Sequence, residues 1–373
     1  MVDIPIKSLY LHYPFCKNLC NYCDFYKGLP SPELEDQFED LFKSMFEKHD
    51  EILRDQDCTW SSLSTLYIGG GTPSLWGEKG AKLLSQELEK RQINLEKDCE
   101  FTIEVNPGDW DRESIDAWMK IGVNRFSVGI QSLDSTFLKV LDRVHSIDEV
   151  YETLELFKEL NVNYSVDFML GLPFSKQYKR DVIKELEEIL EYGPTHISLY
   201  ILTVKDNYKH FEDLPDDEFI EREYLSVSKY LKSKGFDHYE VSNFAKTQEL
   251  DRRSKHNLNY WRMESVAAIG PSATGFLADR KYRYKWKTKS DDIITEVLSD
   301  KEYLMEKLYM SLRINEGLDI NFFNDEKLKD LAFDLEKRDL AQVVNEKIIL
   351  TSKGFLILDS IMDDIFKIYA NRL

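Results

Sequence analysis

Short apolar runs alternate, through the first part of the chain, with longer segments whose apolar positions recur every three or four places. The runs cover residues 9–11, 65–68, 101–105, 125–131, 163–170 and 196–203. Their length and their β-branched and aromatic content read as buried strands. The segments between them read as helices. Residues 33–53 place Leu34, Phe38, Leu41, Phe42, Met45 and Phe46 on one face of an acidic helix. Residues 79–91 and 113–121 predict two more. Another helical stretch is expected with Asp142, Arg143 and His145 in its middle. Six strand–helix repeats at these spacings suit right-handed parallel crossovers, so the predicted fold class is α/β.

Past Thr203 the pattern changes. Residues 205–217 are polar and acidic, with Pro215, and read as a linker or surface loop. Residues 219–235 are helical. Residues 281–289, rich in Lys, Arg, Tyr and Trp, read as a solvated loop. Helices are predicted again at 302–312 and 325–337. A hairpin follows at 341–351, turning at Asn345 and Glu346, and then a terminal helix at 353–369. This last part has the plan of a winged-helix unit. The expected organisation is therefore residues 1–204, a connecting region at 205–289, and a small α+β unit at 290–373.

The chemistry-bearing residues sit where predicted strands end. Cys16, Cys20 and Cys23, spaced CxxxCxxC, follow the first strand. Gly69-Gly-Gly-Thr-Pro73 follows the second, and glycines let a backbone approach a ligand with no side chain between. Glu104 closes the third strand, Gln131 the fourth, and Tyr200 to Thr203 the sixth. In α/β barrels that rim is where active sites are built. Thiolates are soft ligands for iron–sulfur clusters and zinc. Three of them leave one iron of a cubane open, whereas structural zinc wants four ligands. A disulfide is the third reading, with one cysteine left over.

Composition narrows the classes. Hydrophobic residues make up 42% of the 373, enough for a sizeable core. The net charge of −19 argues against gripping a phosphate backbone, so no nucleic-acid partner is expected. Five cysteines in a chain this long are no disulfide scaffold, and Cys58 and Cys99 read as ordinary part-buried thiols. No run approaches a membrane span and no secretory pattern opens the chain, so a reducing cytoplasm is expected.

Several segments carry a family resemblance. Tyr10-Leu-His-Tyr-Pro-Phe15 before CxxxCxxC resembles the cluster loop of the radical S-adenosylmethionine (SAM) superfamily. Asp24-Phe25 after the third cysteine resembles the coproporphyrinogen III dehydrogenase-like family. The stretch 239–245 (YEVSNFA), His256-Asn-Leu-Asn-Tyr-Trp261 and Gly270-Pro-Ser-Ala-Thr-Gly275 resemble its HemW-type haem-chaperone branch. The resemblance spans nearly the whole chain. It implies a partial (β/α)6 barrel, open at the side. It implies a 4Fe-4S cluster on Cys16, Cys20 and Cys23, with SAM at the open iron. Tyr10, Tyr22, Gly70, Gly71, Thr72, Glu104, Gln131, Arg143 and Asp167 are then the SAM contacts, with Glu104 on the methionyl amino group. His12 is either a packing residue beneath the loop or part of the site.

The same resemblance implies haem, with His256 as axial ligand and Tyr260 and Trp261 on the porphyrin face. The residues alone read equally as a buried histidine satisfied by a backbone carbonyl. Delivery of haem to client haemoproteins such as respiratory enzymes is the implied function, with an electron donor to the cluster and room for peripheral membrane contact or a dimer. Oxygen-independent oxidation of a porphyrinogen is the alternative. Two features favour the chaperone branch. Phe25 stands where the oxidising enzymes carry a fourth cysteine, and only nine residues precede Tyr10. Thr274 and Lys205 depart from the family pattern, which has histidine and glutamate there.

Overall fold

Strands that are apolar on both faces need cover on both sides, and alternating strands with amphipathic helices supplies it. The computed structural model describes residues 3–205, 207–323 and 326–369. It begins β1 (Ile4–Tyr13), α1 (Pro32–Asp55), β2 (Cys58–Gly70), α2 (Gly77–Lys90), β3 (Leu95–Val105), α3 (Arg112–Lys120) and β4 (Arg125–Gln131). It continues with α4 (Ser135–Val140), α5 (Ile147–Glu159), β5 (Asn163–Leu170), α6 (Ser175–Tyr178), α7 (Val182–Leu190) and β6 (His196–Ile201). β1 to β6 pair in chain order and all in parallel, as the repeat pattern predicts. Leu9, Leu11, Leu66, Ile68, Ile103 and Val128 are fully buried along them. Each such side chain contributes about 1.5–3 kcal/mol.

The region after β6 does not stand apart from this sheet. α8 (Asp217–Ser233) leads to β7 (Phe236–His238) and β8 (Asn243–Lys246). Then α9 (Lys255–Trp261) leads to β9 (Ala267–Ile269). β8 joins β6 antiparallel, and β9 joins β1 in parallel. The result is nine strands in the order β7-β8-β6-β5-β4-β3-β2-β1-β9, with its two ends unpaired with each other. The barrel is open.

Two expectations are corrected here. Asp142, Arg143 and His145 are not mid-helix but form the turn between α4 and α5. Asp142 takes a left-handed φ of +52°, and Ser146 starts α5 with a reciprocal capping box to Glu149. Residues 281–289 are not a solvated loop either. A second sheet joins β10 (Thr274–Leu277), β11 (Tyr282–Trp286) and β12 (Ile293–Val297), and Tyr284 and Trp286 are buried. β12 pairs with β11, so residues 293–297 go with the connecting region rather than the C-terminal unit.

That unit comprises α10 (Asp300–Leu312), β13 (Leu318–Asp319), α11 (Glu326–Lys337), β14 (Ala341–Val344), β15 (Lys347–Leu350), α12 (Ser352–Leu356) and α13 (Leu358–Tyr369). The predicted terminal helix is thus split at Ile357. The β14–β15 hairpin turns on Asn345 and Glu346, both at positive φ, as a two-residue turn between twisted strands requires. The unit has its own core, including Leu312, Leu328, Ile348 and Ile361. It docks on the β7–β8 edge: the Val241 N–H donates to Arg313 O at 3.1 Å and the Asn315 N–H to Tyr239 O at 2.8 Å.

Candidate cofactor site

β1 ends at Tyr13, and the chain then loops out and back. The Cys16 N–H donates to Gly28 O at 3.0 Å and the Gly28 N–H to Pro14 O at 2.8 Å, which closes the base of the loop. Its far side is tied to the α4–α5 turn. Asn18 donates to Asp142 O at 2.6 Å, and Asn21 to Val140 O and to the Asp142 carboxylate at 2.9 and 2.8 Å. The turn misread as helix is therefore the seat of the cysteine loop. Lys205 reaches across to Asp24 at 2.7 Å, so one of the two departures from the family pattern lands beside the third cysteine. Thr274, the other, is exposed on β10 and paired with Lys285.

All five cysteines are free thiols. Cys16, Cys20 and Cys23 line one cavity together with Gly70, Gly71 and Arg143. Burial holds the Cys16 thiol up, opposed by a hydrogen bond to Thr72. Binding metal would displace its proton. Cys58 and Cys99 are buried elsewhere in the main core.

The strand end of β2 forms the second wall. Gly71 N–H donates to Tyr13 O and Thr72 N–H to Phe15 O, each at 2.7 Å. A Cβ on Gly71 would lie 2.4 Å from Phe15 O, and one on Gly70, at φ +113°, would lie 2.6 Å from the His12 ring. His12 packs beneath the loop, with its Nε2 2.9 Å from Tyr26 O. Only glycine fits this edge, and it leaves backbone facing open space.

Beyond it lies a cavity of about 360 Å³ that shares Tyr22, Cys23, Gly70, Gly71 and Arg143 with the first. Thr72, Glu104, Gln131 and Asp167 also face it. Glu104 is held at both oxygens, by the Tyr67 hydroxyl at 2.9 Å and the Gly70 N–H at 3.0 Å. Burial, with the Asp167 carboxylate nearby, pushes its pKa up to about 7. Burial also raises Asp167, against hydrogen bonds from Ser198 and Ser127. Arg143 donates to Asn106 Oδ1 at 2.8 Å and Gly129 O at 2.7 Å. Gln131, at φ +70°, sits where the β4–β5 register slips. Nine of the ten residues expected around cluster and SAM outside the glycines thus line these two joined cavities; Tyr10 does not, and its hydroxyl instead lies 3.1 Å from His12 Nδ1.

His256 is not brought to this space. It is 1% exposed, with Nδ1 2.9 Å from the Thr65 hydroxyl and its ring stacked on Tyr67 at 5.2 Å. Tyr67 lines the cavity; His256 lies behind it. Burial, then the charge of Arg125, lowers its pKa to about 3. The Glu100 carboxylate accepts from the Lys255 and His256 N–H groups at 3.0 and 2.9 Å and fixes the start of α9. Trp261 is covered by the Arg313 guanidinium at 4.3 Å. One ring nitrogen, Nδ1, meets a hydroxyl where a backbone carbonyl was the expected alternative, and Nε2 is buried with no hydrogen-bond partner among the described residues.

Sequence reasoning missed Asn106, which donates to Thr72 Oγ1 at 2.8 Å and accepts from Arg143. It also missed Tyr67, Ser127 and Ser198. Asn106 follows Glu104 at a strand end, the same signal that marked Glu104. Tyr67 was hidden inside an apolar run.

The donor set fits the groups the pattern calls for: three free thiols on one loop, beside a glycine edge that a Cβ would fill and a doubly held carboxylate. Comparison with known proteins agrees. Residues 10–186 match the model of the radical SAM superfamily. The heme chaperone HemW of Buchnera aphidicola (subsp. Schizaphis graminum) is 34% identical, over 82% of this chain and 81% of its own. The heme chaperone HemW of Lactococcus lactis is 32% identical, over 93% and 94%. Among solved structures, the coproporphyrinogen III oxidase HemN of Escherichia coli, described as a radical SAM enzyme, superposes with a TM-score of 0.76 at 20% identity. It covers 97% of this chain and 90% of its own. That likeness concerns the fold.

Proposed function

The chain belongs to the radical SAM superfamily, among the relatives of the heme chaperone HemW, and on that premise we propose that it binds haem, a 4Fe-4S cluster and SAM, and delivers haem to client haemoproteins. The observation that carries the reading is the joint cavity, where three free thiols meet the Gly70–Gly71 edge and Glu104. Cys16, Cys20 and Cys23 hold the cluster. Glu104 takes the methionyl amino group of SAM, and the backbone of Gly70, Gly71 and Thr72 lies along it. Arg143, Gln131 and Asp167 would hold its carboxylate and ribose, beside Tyr22, which lines both cavities. Bound together, cluster and SAM supply one-electron reductive chemistry at the sulfonium.

Phe25 favours the chaperone over an oxidase. It is 67% exposed at the cavity mouth, where a fourth cysteine would add a thiol, and presents a ring instead. Tyr10 and His256 are packing residues in this account. No helix among the described residues is long and apolar enough to cross a membrane. The free thiols that would hold the cluster suit a reducing compartment, and on that ground we propose the cytoplasm.

The test is anaerobic. Protein reconstituted with iron and sulfide is loaded with haem and mixed with an apo-haemoprotein, and the client's absorption is followed. We expect haem binding and transfer. Coproporphyrinogen III with SAM and a reductant is expected to give no protoporphyrinogen IX. Turnover of the porphyrinogen without haem transfer would replace this reading by the oxidase one.

A further inference from the structure

A second cavity, of about 330 Å³, lies between β6 and the C-terminal unit, and the cofactor site does not account for it. Tyr200 and Thr203 line both this space and the cofactor cavity, so the two adjoin. Its walls mix polar surface with apolar and aromatic side chains, among them Tyr224, Phe355, Leu356 and Leu358. Its cation is Arg313, at the end of α10. The guanidinium stacks over Trp261 at 4.3 Å and Tyr309 at 5.6 Å, and Nη1 donates to the Tyr309 hydroxyl at 3.2 Å. That hydroxyl donates in turn to Asp359 at 3.0 Å, so the one acidic side chain lining this cavity is already engaged.

Among the described residues no carboxylate forms an ion pair with Arg313. By contrast, Arg91, Arg180, Arg262 and Arg283 each hold at least one. The charge of Arg313 reaches the buried Glu240 carboxylate without pairing with it, and its Nε has no hydrogen-bond partner among the described residues, so this guanidinium, fixed by stacking, keeps donors for a carboxylate from a ligand. We propose that this cavity takes the propionate-bearing edge of a tetrapyrrole lying across Tyr200, with a ring carboxylate on Arg313. The proposal rests on the haem reading above and adds to it where the ring's acidic edge goes. It also makes the C-terminal unit part of the binding site, because Arg313 and Tyr309 come from that unit and Tyr200 from the barrel.

The experiment is a Soret titration of the reconstituted full chain with haem and with haem dimethyl ester, whose carboxylates are masked. Wild type is expected to bind haem roughly tenfold tighter than the ester, the worth of one charge-assisted hydrogen-bonded pair. Arg313→Gln should weaken haem alone and erase that preference. Arg313→Lys should keep part of it. Asp359→Asn, which removes the opposing charge, should enlarge it. Equal binding of haem and ester by wild type would overturn the proposal and leave the chaperone reading standing. An Arg313→Gln variant that loses haem and ester alike would also overturn it, since a packing role does that. Binding of neither by wild type would overturn both.

Discussion

The cysteine loop and helix α9 each carry a dense motif, and they differ in what lies in front of the side chains. At the loop, the side chains and glycine backbone face a joined pair of cavities, and the groups behind them are hydrogen-bonded supports: Asn106 under Arg143, Tyr67 under Glu104, Asp142 under Asn18 and Asn21. At α9, His256 faces Thr65 and Tyr67, and Asn259 lies within the barrel beside Ser8. The first segment is built to receive something. The second is built to hold the wall from behind. A motif thus reports constraint, and only its surroundings say whether the constraint is chemical or mechanical.

The comparison can be broken most forcefully at the thiols. Cys16→Ala, Cys20→Ala or Cys23→Ala should each abolish the reconstituted cluster by iron content and visible absorption, while Cys58→Ser should leave it intact. Next in size is Gly71→Ala. Its Cβ would meet a backbone oxygen at 2.4 Å, which cannot rotate away, so urea unfolding should show a loss of more than about 2 kcal/mol. His256→Ala empties a buried site and should cost about 1–3 kcal/mol in the same assay, with cluster content unchanged.

Smaller effects sharpen the picture of Glu104. Its pKa is raised to about 7, so it is mostly protonated below that value and cannot counter an ammonium group. SAM affinity should therefore rise about tenfold from pH 6 to pH 8, and Glu104→Gln should flatten the profile. A flat wild-type profile would remove Glu104 from the amino group. For stability the sign is opposite. A carboxyl whose folded pKa is raised favours the folded state at low pH, and that contribution falls away as pH climbs from the ordinary carboxylate range through about 7. Tyr67→Phe, which removes one hydrogen bond to the carboxylate, should weaken SAM binding only about two- to tenfold.

Much of this arrangement was legible in the sequence because parallel strands buried on both faces leave continuous apolar runs. β4 and β5 fall on the expected residues, and the rim residues follow from strand ends. What was not legible had physical causes. The Ser146–Glu149 capping box marks the start of α5 and could have separated Arg143 from the helix, but the apolar spacing on either side masked it. In β11, Tyr282, Tyr284 and Trp286 alternate as a strand should, yet the interleaved Lys and Arg made the segment read as solvated. The placement of His256 depended on β9 returning to pair with β1, a contact between residues more than 250 positions apart that no local pattern encodes. Asn106 and Tyr67 act through other side chains, and such partners become visible only when the strands lie side by side.

The account stands most directly on one titration: haem added to reconstituted wild type and to His256→Ala, with the Soret band followed. We expect the same band position and the same midpoint for both, because the histidine lies behind Tyr67 and not in the cavity. Loss of binding or a shifted band in His256→Ala alone, with the variant still folded and its cluster intact, would place haem on α9 and contradict the account.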